Sequence, residues 1–151
     1  MLPPSPYRQI DTLQVAKNRF GFSSNKLDAL AGYFDIGHKD ETDFELWKSV
    51  LEGNQDAINY MRKYNEKDVT ILEEVYLKLR PWINSHPNVA MYELLGEGVC
   101  TLCGSEELEF VGNYYTNRNE FKTYRCKKCG GMSRESRGNK KNTKILAPIA
   151  T

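Results

Sequence analysis

Four cysteines in two Cys-x-x-Cys pairs constrain this chain more than any other feature. Cys100 and Cys103 form one pair, Cys126 and Cys129 the other, and residues 104–125 lie between them. Each pair reads as a tight knuckle. Gly104 and Gly130 directly follow the second cysteine of each, where the turn needs permissive backbone. Four thiolates suit a tetrahedral zinc ion at about 2.3 Å per bond, and with no ligand position left open the ion would be structural, one per chain. The competing reading is two disulfides or free thiols. The opening "MLPPSPYRQI" has no basic segment followed by an apolar one. A secretory signal is therefore not expected, and this favours zinc over a disulfide framework.

Charge also divides the chain, at a point between the two cysteine pairs. From Phe110 onward ten Lys and Arg stand against two acids, a net of +8; since the whole chain carries +1, residues 1–109 carry −7. An acidic front and a basic back suggest two units with different partners, the back suited to phosphate. Hydrophobic residues make up 40% of the sequence. No apolar run reaches the roughly 20 residues of a membrane span. The expected location is cytoplasmic, in a host's cytoplasm if the chain is phage-encoded.

The expected order is a helical unit over residues 1–88, a linker over 89–98, a zinc-bound β module over 99–136 and a flexible basic tail over 137–151. In the front, only residues 7–10 resemble a strand. Helices are expected over 11–20 with Asp11 as N-cap, then over 26–36, closed by Gly37. A third, capped by Thr42 or Asp43, carries Leu46, Trp47, Val50 and Leu51 inward. A fourth begins after Asn54, with Ala57, Ile58 and Met61 inward. A fifth covers 63–80 and stops before Pro81. Five short helices fit either a bundle or one side of a larger α/β fold. In the back, "LEFVGNYYT", "FKTYRCK" and "GMSRES" read as strands.

Within the fifth helix Tyr64 and Asp68 share a face with Leu72, Val75 and Leu79. A carboxylate on an apolar stripe is costly unless paired or metal-bound. His38 is expected to cap helix carbonyls, His86 to be solvent-exposed, and Trp47 and Trp82 to pack. In the module, Tyr114, Tyr115, Phe121 and Tyr124 interleave with basic residues. Arg118, Lys122, Arg125, Lys127, Lys128 and Arg134 are the candidate nucleic-acid ligands. Cations neutralise phosphates, and exposed rings stack on unpaired bases. The competing reading makes half of those rings a small core.

Two resemblances add to this reading. The pattern "CTLCGS…YYTNRNEFKTYRCKKCGG" resembles the zinc ribbons of transposases and phage nucleic-acid proteins, over residues 98–134. "SSNKLDALAGYFDIGHK" followed by the Tyr64-x-x-x-Asp68 pair resembles the last motif of the DnaQ-like 3′–5′ exonucleases. These belong to the DEDDy type of the ribonuclease H-like superfamily, and the resemblance spans roughly residues 6–83. It implies a partial ribonuclease H-like α/β fold lacking most of its sheet. It makes Asp68 a ligand for Mg2+ or Mn2+ and Tyr64 the residue that orients the attacking water, in a two-metal reaction. That family's Asp-x-Glu and second-motif carboxylates would precede Asp11, and none stands there. The expectation is therefore a fragment or internal-start product, a split enzyme completed by a second chain or by a homo-oligomer, or a non-catalytic binding or assembly protein. The expected partner is nucleic acid, DNA before RNA, as single strands or 3′ ends, and no membrane.

Overall fold

The computed structural model describes residues 8–92 and 98–138. They divide into two compact units: residues 9–79, and Arg8 with the described residues from Arg80 onward. The fold is mixed, with helices in the first unit and a three-stranded antiparallel sheet in the second.

In the first unit α1 (Thr12–Arg19) begins at Asp11, whose carboxylate accepts the Leu13 and Gln14 backbone N–H groups at 2.9 and 3.3 Å. Next come α2 (Leu27–Tyr33) and α3 (Phe44–Leu51), the latter capped by Asp43, which accepts the Leu46 N–H at 2.8 Å. The helix α2 stops earlier than expected. Asp35 takes a left-handed φ of 60°, and the Ile36 N–H returns to the Ala31 carbonyl at 2.9 Å. Gly37 lies beyond this closure.

The last two expected helices are one. Helix α4 (Gln55–Leu79) runs 25 residues, about 38 Å at 1.5 Å per residue. Asn54 caps it by accepting the Asp56 and Ala57 N–H groups at 3.0 and 3.1 Å. No glycine or proline stands between Asn54 and Pro81, so nothing interrupts the hydrogen-bond ladder. A 3-10 turn, Arg80–Trp82, follows.

Helix α4 is the centre of this unit, and α1, α2 and α3 all pack on it. Its buried line is Ala57, Met61, Ile71, Val75 and Leu79. Tyr64 and Asp68 lie on that line, half-buried. Leu72 does not, because it is one residue, or about 100°, past Ile71 and is exposed. Ala16, Leu30 and Ala31 complete the core with Ile71, Val75 and Leu79. Phe20, Phe22 and Phe34 close over it, Phe22 stacking on Phe20 at 4.9 Å and meeting Phe34 edge-on at 6.0 Å. Helix α3 buries none of its residues; Trp47 and Leu51, expected inward, are exposed. Residues 8–10 are not strand, and residue 7 lies outside the described residues.

In the second unit the Arg8 guanidinium donates to the Ser85 carbonyl at 2.7 Å. Part of the expected linker is a short helix, α5 (Val89–Tyr92), and the Val89 N–H donates to the Thr101 carbonyl at 2.9 Å. Residues 93–97 of that linker, and residues 139–151 of the expected tail, lie outside the described residues.

The sheet has the order β1 (Leu108–Tyr115), β2 (Glu120–Cys126), β3 (Met132–Arg134). Phe110 pairs with Tyr124, and Gly112 with Thr123, leaving Val111 as a bulge where Gly112 takes a φ of 130°. Alternation from this register gives two faces. One carries Tyr114, Phe121, Thr123, Arg125, Arg134, Met132 and Glu109. The other carries Phe110, Tyr124, Lys122, Glu120, Tyr115 and Ser133.

Candidate metal centre

The two knuckles are built by short-range backbone bonds. The Gly104 N–H returns to the Cys100 carbonyl at 2.9 Å, and the Gly130 N–H returns to Cys126 at the same distance. Both glycines take left-handed φ values, 72° and 75°. The Leu102 N–H points at Cys100 Sγ and the Gly131 N–H at Cys129 Sγ, each at 3.4 Å. The second knuckle grows from the end of β2, and the Thr101 and Ser133 hydroxyls, 2.9 Å apart, tie the first knuckle to β3.

All four sulfur atoms lie within 4.8 Å of one another. Cys100 and Cys129 are 3.6 Å apart, as are Cys103 and Cys126. That is far beyond a disulfide bond of about 2.05 Å. It is close to the roughly 3.8 Å edge of a tetrahedron with 2.3 Å metal–sulfur bonds. The cysteines are free thiols. The group could hold a metal ion, and its donor set and spacing fit zinc.

Protonation in the cluster is uneven. Burial pushes the Cys129 thiol up to about 12 and also raises Cys103. Burial acts against ionising Cys126 too. There the N–H groups of Cys129 and Lys128, with the Cys103 thiol, outweigh it and bring the group down to about 7. Of these three, Cys126 is the thiol readiest to ionise. A bound cation would displace the remaining protons, since the thiolate is the ligand form.

The candidate nucleic-acid ligands are all exposed: Arg118 in the hairpin turn, Lys122 and Arg125 on β2, Lys127 and Lys128 on the second knuckle, and Arg134 on β3. They do not form one patch. Lys122 sits on the opposite face of the sheet from Arg125 and Arg134. The aromatic rings divide likewise. Phe121 is 7% exposed, whereas Tyr114 and Tyr115 are 52% and 65% exposed on opposite faces.

Tyr64 and Asp68 do come together, around a partner the sequence reading missed. Lys39 Nζ lies 2.7 Å from Asp68 Oδ2 and 3.4 Å from the Tyr64 hydroxyl, which accepts its hydrogen bond. The Asp68 bond is the main reason the Lys39 ammonium is held above its usual range. The second oxygen, Asp68 Oδ1, is buried without a hydrogen-bond partner. The neighbouring contacts fasten the same loop. Asp40 pairs with Lys67, and the Tyr60 hydroxyl donates to the Glu41 carbonyl at 3.2 Å. Asp28 accepts the Lys39 backbone N–H at 2.9 Å, which lowers its pKa. Tyr64 and Asp68 therefore hold the loop after α2 onto α4. Among the described residues, only the four cysteines gather three or more metal-ligating side chains.

The remaining expectations shift in detail. Among the described residues His38 caps no carbonyl; its Nδ1 lies 3.6 Å from the Asp28 carboxylate. His86 is partly buried, with Nδ1 2.7 Å from the Pro87 carbonyl. Trp47 and Trp82 are half-exposed rather than packed away. Sequence reasoning also missed Gly131, where a side chain would run into Leu102 and lie 3.2 Å from Cys129 Sγ. Its signal was present in the doubled glycine of "CKKCGG". Set against family models, curated proteins and solved structures, the chain finds no match in any of the three.

Proposed function

We propose that this protein binds nucleic acid through a zinc ribbon, without catalysing a reaction on it. The observation that carries this reading is the exposure of all six candidate cations on a module that also gathers four cysteines. The two acids from Phe110 onward are engaged by neighbouring side chains. Glu120 accepts from Asn113 and Tyr115, and Glu135 accepts the Tyr124 hydroxyl at 3.5 Å. Exposed cations beside engaged anions leave a net positive surface for phosphate. One structural zinc per chain holds the knuckles that display Lys127 and Lys128.

The exonuclease reading draws on Tyr64 and Asp68, and it would need Mg2+ or Mn2+ held by carboxylates from a second chain. The Lys39 ammonium at 2.7 Å from Asp68 favours the non-catalytic alternative, because it already supplies the positive charge that a metal would bring. No helix among the described residues is long and apolar enough to cross a membrane.

The test is titration of labelled DNA over a range of salt, with and without Mg2+ or Mn2+. Expected are binding that weakens with salt, and no cleavage ladder. Lys127→Ala and Lys128→Ala should each weaken binding and lower the salt slope by about 1. A ladder abolished by Asp68→Ala would reinstate the nuclease. Absence of binding at low salt would end the proposal.

A further inference from the structure

Resting on that reading, we infer that the ribbon binds single-stranded DNA with one face of its sheet, the face of Tyr114, Arg134 and Arg125, taking unpaired bases beside the Arg134 guanidinium. The geometry starts from Phe121. It lies almost buried on this face, with the Arg134 guanidinium 4.1 Å above its ring centroid. Chain crosses its edge at Gly138, where an added Cβ would come within 2.9 Å of the ring. The same guanidinium is 5.7 Å from the Tyr114 centroid, and the Tyr114 and Phe121 rings are 6.3 Å apart. A planar cation held against an aromatic ring keeps its charge while losing much of its freedom before any ligand arrives.

Tyr114 flanks this pair with half of its surface open. Arg125 pairs with Met132 on β3 and with Glu109 on β1, all on the same face. The face therefore offers two arginines against one acid, an open ring and an exposed thioether. The opposite face has Lys122 against Glu120, with Glu135 bonded to Tyr124 there. Charge selects the first face for a polyanion although the second also exposes rings, Phe110 and Tyr115.

Unpaired bases are the fitting occupant, because a ring beside a flat guanidinium stacks on an open base face, which a duplex keeps covered. As acceptors for a ribose 2′-hydroxyl proton the face presents Glu109 and the hydroxyl of Tyr114; its two arginines are donors, which phosphate oxygens engage as well in DNA as in RNA. The Thr123 hydroxyl is buried. DNA is accordingly the strand expected.

The experiment measures affinity of the full chain for a labelled single-stranded DNA, the matching duplex and the RNA of the same sequence, with zinc content checked for every variant. The single-stranded DNA should bind tightest. Tyr114→Ala should weaken it about tenfold, while Tyr114→Phe, which keeps the ring, stays within about twofold. Tyr115→Ala on the opposite face should also stay within about twofold. Arg134→Lys keeps the charge and loses the flat stack, so it should weaken binding several-fold with the salt slope unchanged. Salt-sensitive binding with equal losses from Tyr114→Ala and Tyr115→Ala, or with the duplex preferred, would overturn this inference and leave the proposed function standing. Tighter binding of the RNA would overturn the assignment to DNA. No binding to any of the three would overturn both readings.

Discussion

The helical unit and the ribbon hold their folds by different means. The first buries Ala16, Leu30, Ala31, Ile71, Val75 and Leu79 in one cluster, with six further apolar residues packed around it. Among the described residues of the ribbon, the buried apolar side chains are Cys100, Phe121 and Cys126. A core of that size cannot offset the conformational entropy of ordering a hairpin and two knuckles. Burial stabilises the first unit; in the second, four thiols placed to share an ion would supply what so small a core does not. The contrast teaches that the two should fail under different treatments.

The largest effect should come from the metal. Chelation, or Cys126→Ser, should remove zinc and unfold the ribbon, since structural zinc supplies roughly 10–16 kcal/mol in small metal-dependent folds. Metal analysis should fall from one equivalent to none, while far-ultraviolet circular dichroism keeps most of its helical signal. Loss of both signals together would show that the units are not independent in this respect.

The converse is the next largest. Leu30→Ala should cost the helical unit about 2–5 kcal/mol in denaturant unfolding, with zinc content unchanged. Within the ribbon, Gly131→Ala must displace Leu102 beside the Cys129 sulfur and should cost about 1–3 kcal/mol, read as weaker zinc retention against a competing chelator. Unchanged retention would mean that Leu102 swings aside freely.

The smallest effect concerns the loop clasp. The side chains of Lys39 and Asp68 are 28% and 24% exposed, so their pair should contribute about 1 kcal/mol or less. Its pH dependence has a definite sign. The folded Lys39 pKa is raised, so the contribution is present in full below the unfolded value of 10.5 and lost as pH rises through the folded one. The stability difference between the wild type and Lys39→Met should therefore stay level from neutral pH upward and shrink only in that alkaline window. A difference that vanished near neutral pH would contradict the pairing.

Legibility in the sequence followed distance along the chain. The knuckles were readable because each is specified within a few residues, by cysteine spacing and a following glycine. The caps Asp11, Asp43 and Asn54 were readable for the same reason. The continuity of α4 was missed because an apolar pattern interrupted by Lys63, Asn65 and Lys67 looks like an ending. The backbone, having no proline or glycine there, simply continued. Asp68 raised the right question, a carboxylate in need of a partner. Its partner lies in a loop remote in sequence, and no local pattern marks that meeting. Ring placement on the sheet was illegible too, since it depends on pairing register rather than on residue type.

That register turns on Val111. Strict alternation would put Tyr114 on the side of Phe110, four residues earlier. The extra residue between Phe110 and Gly112 reverses the parity, so Tyr114 pairs with Phe121 instead. Removing Val111 would leave Phe110 and Gly112 consecutive opposite Tyr124 and Thr123, so the ladder would close into regular pairing with Tyr114 still opposite Phe121. Regular pairing through Val111, with no residue bulged out, would instead turn Tyr115 toward the side of Arg134, so the bulge decides which tyrosine each side of the ribbon presents.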